Sequence, residues 1–307
     1  NSIFFEIFFK IIKYNKFNSP LILIASKNLL QKNMKFFRTK FRINEIKYIK
    51  KDLTNIKLDS INIIDVKYNQ KKIFEKISKK SNNYIGKSFE IALEILDKKI
   101  TNKFINGPIS KKFFLEKNFA GITEYLAKKT NSKNVAMIIY NELLSVSPLT
   151  THLPVKYITK KITKSKIINE VKTINSFWKK RFRKIPRIAI TGLNPHCESI
   201  DRFNEDEKII KPSIKFLQKN KFNILGPFPA DTLFLNNNRK KFDIIIGMYH
   251  DQVLTPAKTL FEYDAINITA GLPFIRISPD HGPNEQMLGM NKSNSLSLLR
   301  SIQFLDF

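Results

Sequence analysis

The chain has 307 residues, 42% of them hydrophobic, and 54 Lys+Arg stand against 26 Asp+Glu for a formal net charge of +28. That apolar share supports one large domain or two smaller ones, and no apolar run reaches the roughly 18 residues that a membrane-spanning helix needs. A single cysteine, Cys197, excludes an intramolecular disulfide and fits a reducing, cytoplasmic compartment.

The positive charge raises the question of a nucleic-acid or membrane-surface partner. The lysines are scattered from end to end, with no arginine-rich arm and no aromatic stacking motif of the RNA-binding kind. A lysine-, asparagine- and isoleucine-rich composition is the simpler reading, so neither nucleic acid nor membrane is expected as a partner. The charge would still speed the approach of an anionic substrate.

In chain order, residues 3–13 predict an amphipathic helix. Ile3, Phe4, Ile7, Phe8, Ile11 and Ile12 fall on one face, and Glu6, Lys10 and Lys13 on the other. Glu6, Lys10 and Lys13 also interrupt the run, so it is no signal-peptide core. Strands are expected at 21–25 and 61–66, with a helix and surface connections between them and a polar excursion at 67–83. Residues 88–99 predict a helix. Residues 104–110 predict a strand ending in a Gly-Pro turn, with helices from about 111 and from 121.

Paired strands at 135–140 and 143–147 flank an Asn141-Glu142 turn. Residues 155–181 predict one long basic helical region. A strand at 187–192 and a helix at 204–220 follow, then strands at 244–247 and 265–269, extended chain at 271–278, and a last helix at 295–304. Strand–loop–helix units recur throughout, which makes the class α/β.

Four histidines occur in all, each in a short polar cluster beside an apolar run. His250 follows Ile244-Ile-Ile-Gly247 and is trailed by Asp251, Gln252 and Lys258, just past a strand's carboxyl end, where open α/β sheets bind ligands. His152, His196 and His250 together form a candidate divalent-metal set, because three neutral imidazoles with an open fourth position make a catalytic site. Three unrelated loop histidines remain the alternative that spacing alone leaves open.

Lys258, Asn267 and Arg276 are candidate anion and hydroxyl contacts. Arg276 lies inside Leu272-Pro-Phe-Ile-Arg-Ile277, where a charge needs a partner. Asp231 and Thr123 are each either a ligand contact or a helix N-cap. Cys197 reads as a bystander of His196. No Gly-x-Gly-x-x-Gly follows any strand, and there is no Walker loop.

Five linked motifs are Thr150-Thr-His-Leu-Pro154, Gly192-Leu-Asn-Pro-His196, Gly226-Pro-Phe-Pro-Ala-Asp-Thr-Leu-Phe234, Tyr249-His-Asp-Gln252 and Asn267-Ile-Thr-Ala-Gly-Leu-Pro-Phe-Ile-Arg276. With Asn106-Gly-Pro-Ile-Ser-Lys111 and Gly121-Ile-Thr-Glu124, they resemble the 4-hydroxythreonine-4-phosphate dehydrogenase family of vitamin B6 biosynthesis, the PdxA family. The resemblance runs from about residue 3 to 282.

It implies an isocitrate/isopropylmalate-dehydrogenase-like fold, two α/β subdomains flanking a cleft. Residues 1–307 would form one catalytic unit, with interleaved subdomains at roughly 1–120 plus 256–307 and 121–255. It implies a homodimer whose interface site draws a histidine from the partner chain. The implied cofactors are NAD, with NADP as the variant, and a divalent metal, zinc ahead of magnesium or cobalt.

The implied reaction oxidises 4-phosphooxy-L-threonine and loses CO2 to give 3-amino-2-oxopropyl phosphate. His152, His196 and His250 map to the metal ligands. Thr123, Lys258, Asn267, Arg276 and Asp231 map to substrate positions, Lys258 or Asp251 to the base or proton donor, and His281 with Gly282 to the cofactor side.

Three departures stand out. Ile122 replaces the family's histidine before Thr123, removing a substrate-side hydrogen bond. Ser2-Ile-Phe-Phe-Glu6 stands for a glycine-rich opening, so the first strand is expected to lie upstream of residue 1. Pro283-Asn-Glu-Gln-Met-Leu-Gly289 replaces small residues on the cofactor side. Alternatives are a paralogue acting on threonate or erythronate 4-phosphate, a catalytically dead homologue with a binding role, and a basic nucleic-acid binder on an enzyme fold.

Overall fold

The short apolar runs become strands, and the amphipathic runs between them become helices. The structure is a computed structural model that describes residues 2–47, 55–115, 119, 121–279 and 282–306. In chain order the strands are β1 (Ile22–Ala25), β2 (Ile43–Glu45), β3 (Ile61–Asp65), β4 (Lys103–Ile105), β5 (Ala136–Tyr140), β6 (Ser145–Pro148), β7 (Ile188–Thr191), β8 (Ile224–Phe228), β9 (Ile244–Gly247), β10 (Ile266–Ala270) and β11 (Ile275–Pro279). The chain divides into two units, Asn1–Phe119 with Arg276–Phe307, and Ala120–Ile275. It returns to the first unit at Arg276, after the helix His250–Phe261 and β10, whereas a boundary near 256 would fall inside that helix.

In the first unit, β1, β3 and β2 pair in parallel in that order, with Ile24 opposite Ile64 and Asn44 opposite Asn62. β4 lies beside β11, and Asn106 N donates to Ile277 O at 3.1 Å. The helix Phe4–Tyr14 buries Ile7, Phe8, Phe9 and Ile11 in one cluster with Leu23, Ala25, Leu30, Ile61 and Ile63. Leu298 and Ile302 of the C-terminal helix Leu296–Leu305 join that cluster. Each fully buried large side chain there is worth about 1.5–3 kcal/mol over exposure.

One expected solvent-facing residue is buried instead. Glu6 is 3% exposed, and its Oε1 accepts from Ser293 N at 2.6 Å and from Lys10 Nζ at 3.0 Å. Lys10 Nζ also donates to the carbonyls of Asn291 and Ser293. The polar side of the N-terminal helix is thus an attachment point for the 291–293 backbone, whose buried amide needs an acceptor.

In the second unit the strand order is β10-β5-β6-β9-β7-β8. β6, β9, β7 and β8 are parallel, with Val146 and Ala189 both opposite Ile245, while β5 is antiparallel to both β6 and β10. Every residue of β6, β7 and β9 is buried. Such continuous burial is the mark of strands covered on both faces. The helix His250–Phe261 packs on β6 and β9, Lys164–Phe182 on β5 and β10, and Lys211–Lys219 on β8. At the β5–β6 turn, Asn141 Oδ1 accepts from Leu143 N at 2.9 Å.

The single helical region expected at 155–181 is broken in two. A turn at Val155–Tyr157 and the helix Ile158–Lys161 come first. Thr163 is then extended, and its hydroxyl accepts from Lys166 N at 3.3 Å to cap Lys164–Phe182. A threonine cap outcompetes helix continuation because it satisfies an orphan amide. The helix expected at 204–220 begins as a π-turn, Asp206–Ile210, before Lys211–Lys219. Pro212 sits in that helix's first turn, where a missing N–H costs little.

Glu170 faces inward from the helix Lys164–Phe182, and its Oε1 accepts from Ser147 Oγ on β6 at 2.8 Å. Burial pushes its carboxyl up to about 8, against the opposing pull of the Ser147 bond and of Lys166. The folded state therefore holds a proton that the unfolded chain releases near 4.5. The stabilising contribution is full below that value and is lost as pH rises through about 8. In urea titrations across this range, stability is expected to fall with pH in the native chain and to fall less steeply in Glu170→Gln. Parallel curves would mean that Glu170 is ionised when folded. Glu6→Ala, which strands the Ser293 amide, is expected to cost about 1–3 kcal/mol in the same assay, with Glu6→Gln milder.

Candidate active site

Parallel pairing sends β6, β9 and β7 out at the same edge, so the segments that follow them leave together. After β6 come Thr150, Thr151 and His152. After β7 come Gly192 to His196. After β9 come Met248, Tyr249 and His250, the first residue of the helix His250–Phe261. All three segments belong to the unit Ala120–Ile275.

His152 and His250 lie side by side, with ring centroids 5.6 Å apart. Two imidazoles bound to one divalent ion at about 2.0–2.1 Å would have ring centres roughly 5 Å apart, so this pair fits a shared ion. His250 Nδ1 lies 2.6 Å from Asp251 Oδ1, which leaves Nε2 as its outer nitrogen. A carboxylate in that place fixes the tautomer and ring plane of a ligating histidine.

Gly121 packs against Glu124 and His152. A Cβ there would stand 2.8 Å from Glu124 Oε2 and 3.6 Å from His152 Cδ2. Glu124 Oε2 is buried without a hydrogen-bond partner. A carboxylate oxygen left unpaired near His152 suits a group that meets a ligand. The donor set therefore suits a divalent cation in its chemistry.

His196 does not join the other two within the chain. Among the described residues, no group of three or more His, Cys, Asp or Glu side chains converges. His196 and Cys197 are both left-handed, at φ 57° and 61°; Cys197 is buried and His196 is exposed. Burial, with Asp206 nearby, pushes the Cys197 thiol up, so it stays protonated as a bystander.

The remaining candidates are divided between the units. In the second unit, Thr123 lies in the first turn of the helix Ile122–Lys129, its hydroxyl 3.3 Å from that of Thr269. Gly121, not Thr123, is that helix's cap. Asn267 lies on β10 with its Oδ1 buried and unpartnered. Lys258 is half-buried on the helix His250–Phe261. Asp231 is exposed, and its Oδ1 accepts from Thr232 N at 2.8 Å; the cap of that short helix is Pro229.

In the first unit, Arg276 is 3% exposed, and its Nε donates to Asn106 Oδ1 at 2.7 Å. Gly282 lines a cavity of about 410 Å³ with Ile77, Ile109, Ser110, Pro283, Asn284 and Glu285. His281 lies outside the described residues.

Two residues that the sequence left without a role belong to these surroundings. Asn106 is the partner that Arg276 requires, and Glu124 stands next to His152. Both lie in recognisable motifs, Asn106-Gly-Pro and Gly121-Ile-Thr-Glu124, but only the packing reveals their neighbours.

The profile of the pyridoxal phosphate biosynthetic protein PdxA family matches residues 16–305. A 4-hydroxythreonine-4-phosphate dehydrogenase of Sulfurihydrogenibium is 37% identical over 295 residues, covering 95% of this chain and 89% of that protein. A D-threonate 4-phosphate dehydrogenase of Pectobacterium atrosepticum is 37% identical over 186 residues, covering 60% of this chain and 57% of that protein. The crystal structure of 4-hydroxythreonine-4-phosphate dehydrogenase from Klebsiella pneumoniae has a TM-score of 0.84 at 25% identity, covering 99% of this chain and 94% of that one.

The buried, protonated thiol gives a direct check on the left-handed turn at His196. Ellman's reagent is expected to leave Cys197 unmodified in the native protein and to titrate one equivalent in urea. Fast native labelling would put the thiol at the surface and the turn in another conformation.

Proposed function

The chain belongs to the PdxA family of pyridoxal phosphate biosynthetic proteins, and from that premise we propose that it oxidises 4-phosphooxy-L-threonine with NAD and releases CO2 to give 3-amino-2-oxopropyl phosphate. It is a dehydrogenase of that family. The observation that carries the proposal is the His152–His250 pair, with Asp251 behind His250 and the unpaired Glu124 oxygen beside His152.

His152 and His250 hold a divalent ion, zinc by preference for imidazole ligands. When bound, the ion supplies Lewis-acid polarisation of the substrate hydroxyl and then of the ketone. A homodimer completes the set with a third imidazole, His196, from the second copy. The exposure of His152 and His196 in the single chain supports this reading. So do the exposed apolar side chains beside them in sequence, Val155 at 80% and the fully exposed Ile200.

The chain's own groups divide the rest of the work. Asp251 is committed to His250 Nδ1, so Lys258 is the group assigned to proton transfer. Thr123, at the start of the helix Ile122–Lys129, offers a hydroxyl and a helix N-terminus to the phosphate. Asn267 Oδ1, buried and unpartnered, accepts from a substrate hydroxyl or ammonium. Asn106 aligns the buried Arg276 guanidinium for an anionic group. Gly282 and its cavity serve the cofactor.

A second reading, oxidation of D-threonate 4-phosphate, is favoured by Ile122. That side chain is 6% exposed, packed inward where the family has a hydrogen-bonding histidine.

The test is NADH appearance at 340 nm with each substrate, with and without a chelator. NADH from 4-phosphooxy-L-threonine, abolished by chelation and restored by zinc, is the expected result. NADH from D-threonate 4-phosphate alone would select the second reading, and none from either with metal bound would overturn both. His250→Ala is expected to lower kcat/KM at least about 100-fold, since Lewis-acid stabilisation is worth several kcal/mol. Ile122→His should improve turnover of 4-phosphooxy-L-threonine.

A further inference from the structure

The three histidine-bearing segments are separated by 44 and 54 positions, taking 196 − 152 and 250 − 196. A continuous set of hydrogen bonds beneath them links all three. Thr150 Oγ1 donates to Met248 O at 2.7 Å, tying the His152 segment to the His250 segment. Met248 N donates to Gln252 Oε1 at 2.7 Å, and Thr191 Oγ1 donates to the same oxygen at 2.8 Å. Gln252 Nε2 donates to Gly192 O at 2.7 Å. One amide thus spans from the start of the His250 helix to the end of β7, where the His196 segment begins.

The chain continues beyond Gly192 in the same manner. Asp206 is fully buried and accepts from Leu193 N at 2.8 Å, Asn194 N at 3.1 Å and Asn194 Nδ2 at 3.0 Å. A Cβ on Gly192 would stand 2.6 Å from Asp206 Oδ1 and 2.7 Å from Cys197 Sγ, so only glycine lets the segment sit this close. The orientation of the Gln252 amide is determined by its surroundings. The Met248 N–H can only donate, so Oε1 must face it and Nε2 must face the Gly192 carbonyl.

We propose that Gln252 is a positioning residue that fixes the His196 segment to the His152 and His250 segments of its own chain, and so sets where the homodimer brings His196 of one copy to the His152–His250 pair of the second, with Thr150 and Asp206 as the outer anchors of the same network. The inference rests on the proposed histidine site and deepens it. Nothing in this role touches substrate or cofactor. Its effect is geometric: Gln252 has two acceptor bonds and one donor bond to fixed groups, so a shift of one segment must break a bond to another. Groups that orient metal ligands in this indirect way typically change metal affinity about 10–100-fold when removed.

The experiment is a zinc titration of the metal-stripped full chain against a chromophoric chelator, with the melting temperature of each variant measured alongside. Gln252→Leu keeps the volume and removes all three bonds, and is expected to weaken zinc binding about 10–100-fold. Thr150→Val removes only the His152 tie and is expected to weaken it less. Ser213→Ala is the control, since it removes a buried bond to Ile209 O away from the three segments; it is expected to lower the melting temperature with zinc affinity unchanged.

Wild-type affinity in Gln252→Leu would overturn the inference, as would a loss in Ser213→Ala that matches the loss in Gln252→Leu. If Gln252→Leu does not fold, Thr191→Val and Thr150→Val carry the test, and wild-type affinity in both overturns it. The underlying site is tested separately. If the native chain binds no zinc that His250→Ala abolishes, the histidine reading fails and takes the inference with it. If His250→Ala abolishes binding while Gln252→Leu does not, only the positioning role fails.

Discussion

Parallel pairing of β6, β9 and β7 is the constraint on which the rest depends. Their registers align Val146, Ile245 and Ala189 across the sheet, so three loops from distant parts of the chain leave one edge. Complete burial of these strands supplies the stability that lets the loops carry polar, exposed and strained residues. The left-handed backbone at His196 and Cys197 is affordable there, because a well-packed β7 ends immediately before the segment.

Buried carboxylates hold structure by accepting from backbone amides: Glu6 Oε1 anchors the 291–293 backbone, and Asp206 holds the Gly192–Asn194 turn. Several buried polar atoms have no hydrogen-bond partner, among them Glu6 Oε2, Asn82 Oδ1, Glu124 Oε2 and Asn267 Oδ1, and the last two belong to segments that carry the family's motifs. An unpaired buried polar atom costs about 1–3 kcal/mol, a cost recovered when a ligand supplies the missing bond. Arg276, buried inside an apolar run, has Asn106 as the partner of its Nε.

Ile122 brings no polar group to its segment. It is an apolar residue, buried in the first turn of a helix that otherwise presents Thr123 and Glu124. Its side chain is packed inward, 6% exposed. The neighbouring Gly121 keeps the approach of Glu124 and His152 open, because a Cβ there would meet the Glu124 carboxylate.

The sequence by itself determined the α/β class and the family, because strand periodicity and linked motifs are local patterns. It also required a partner for Arg276, since a guanidinium in an apolar run cannot be left bare. It misplaced Glu6, read one helix where Thr163 makes two, and left Gln252, Asp206 and Glu124 without roles. These depend on contacts between residues far apart in the chain. Amide and carboxylate bonds to backbone groups impose no spacing on the sequence, so nothing at Gln252 announces Gly192 and Met248 as its partners. Only the tertiary structure decided that His152 and His250 meet, because the ends of parallel strands bring their two segments together.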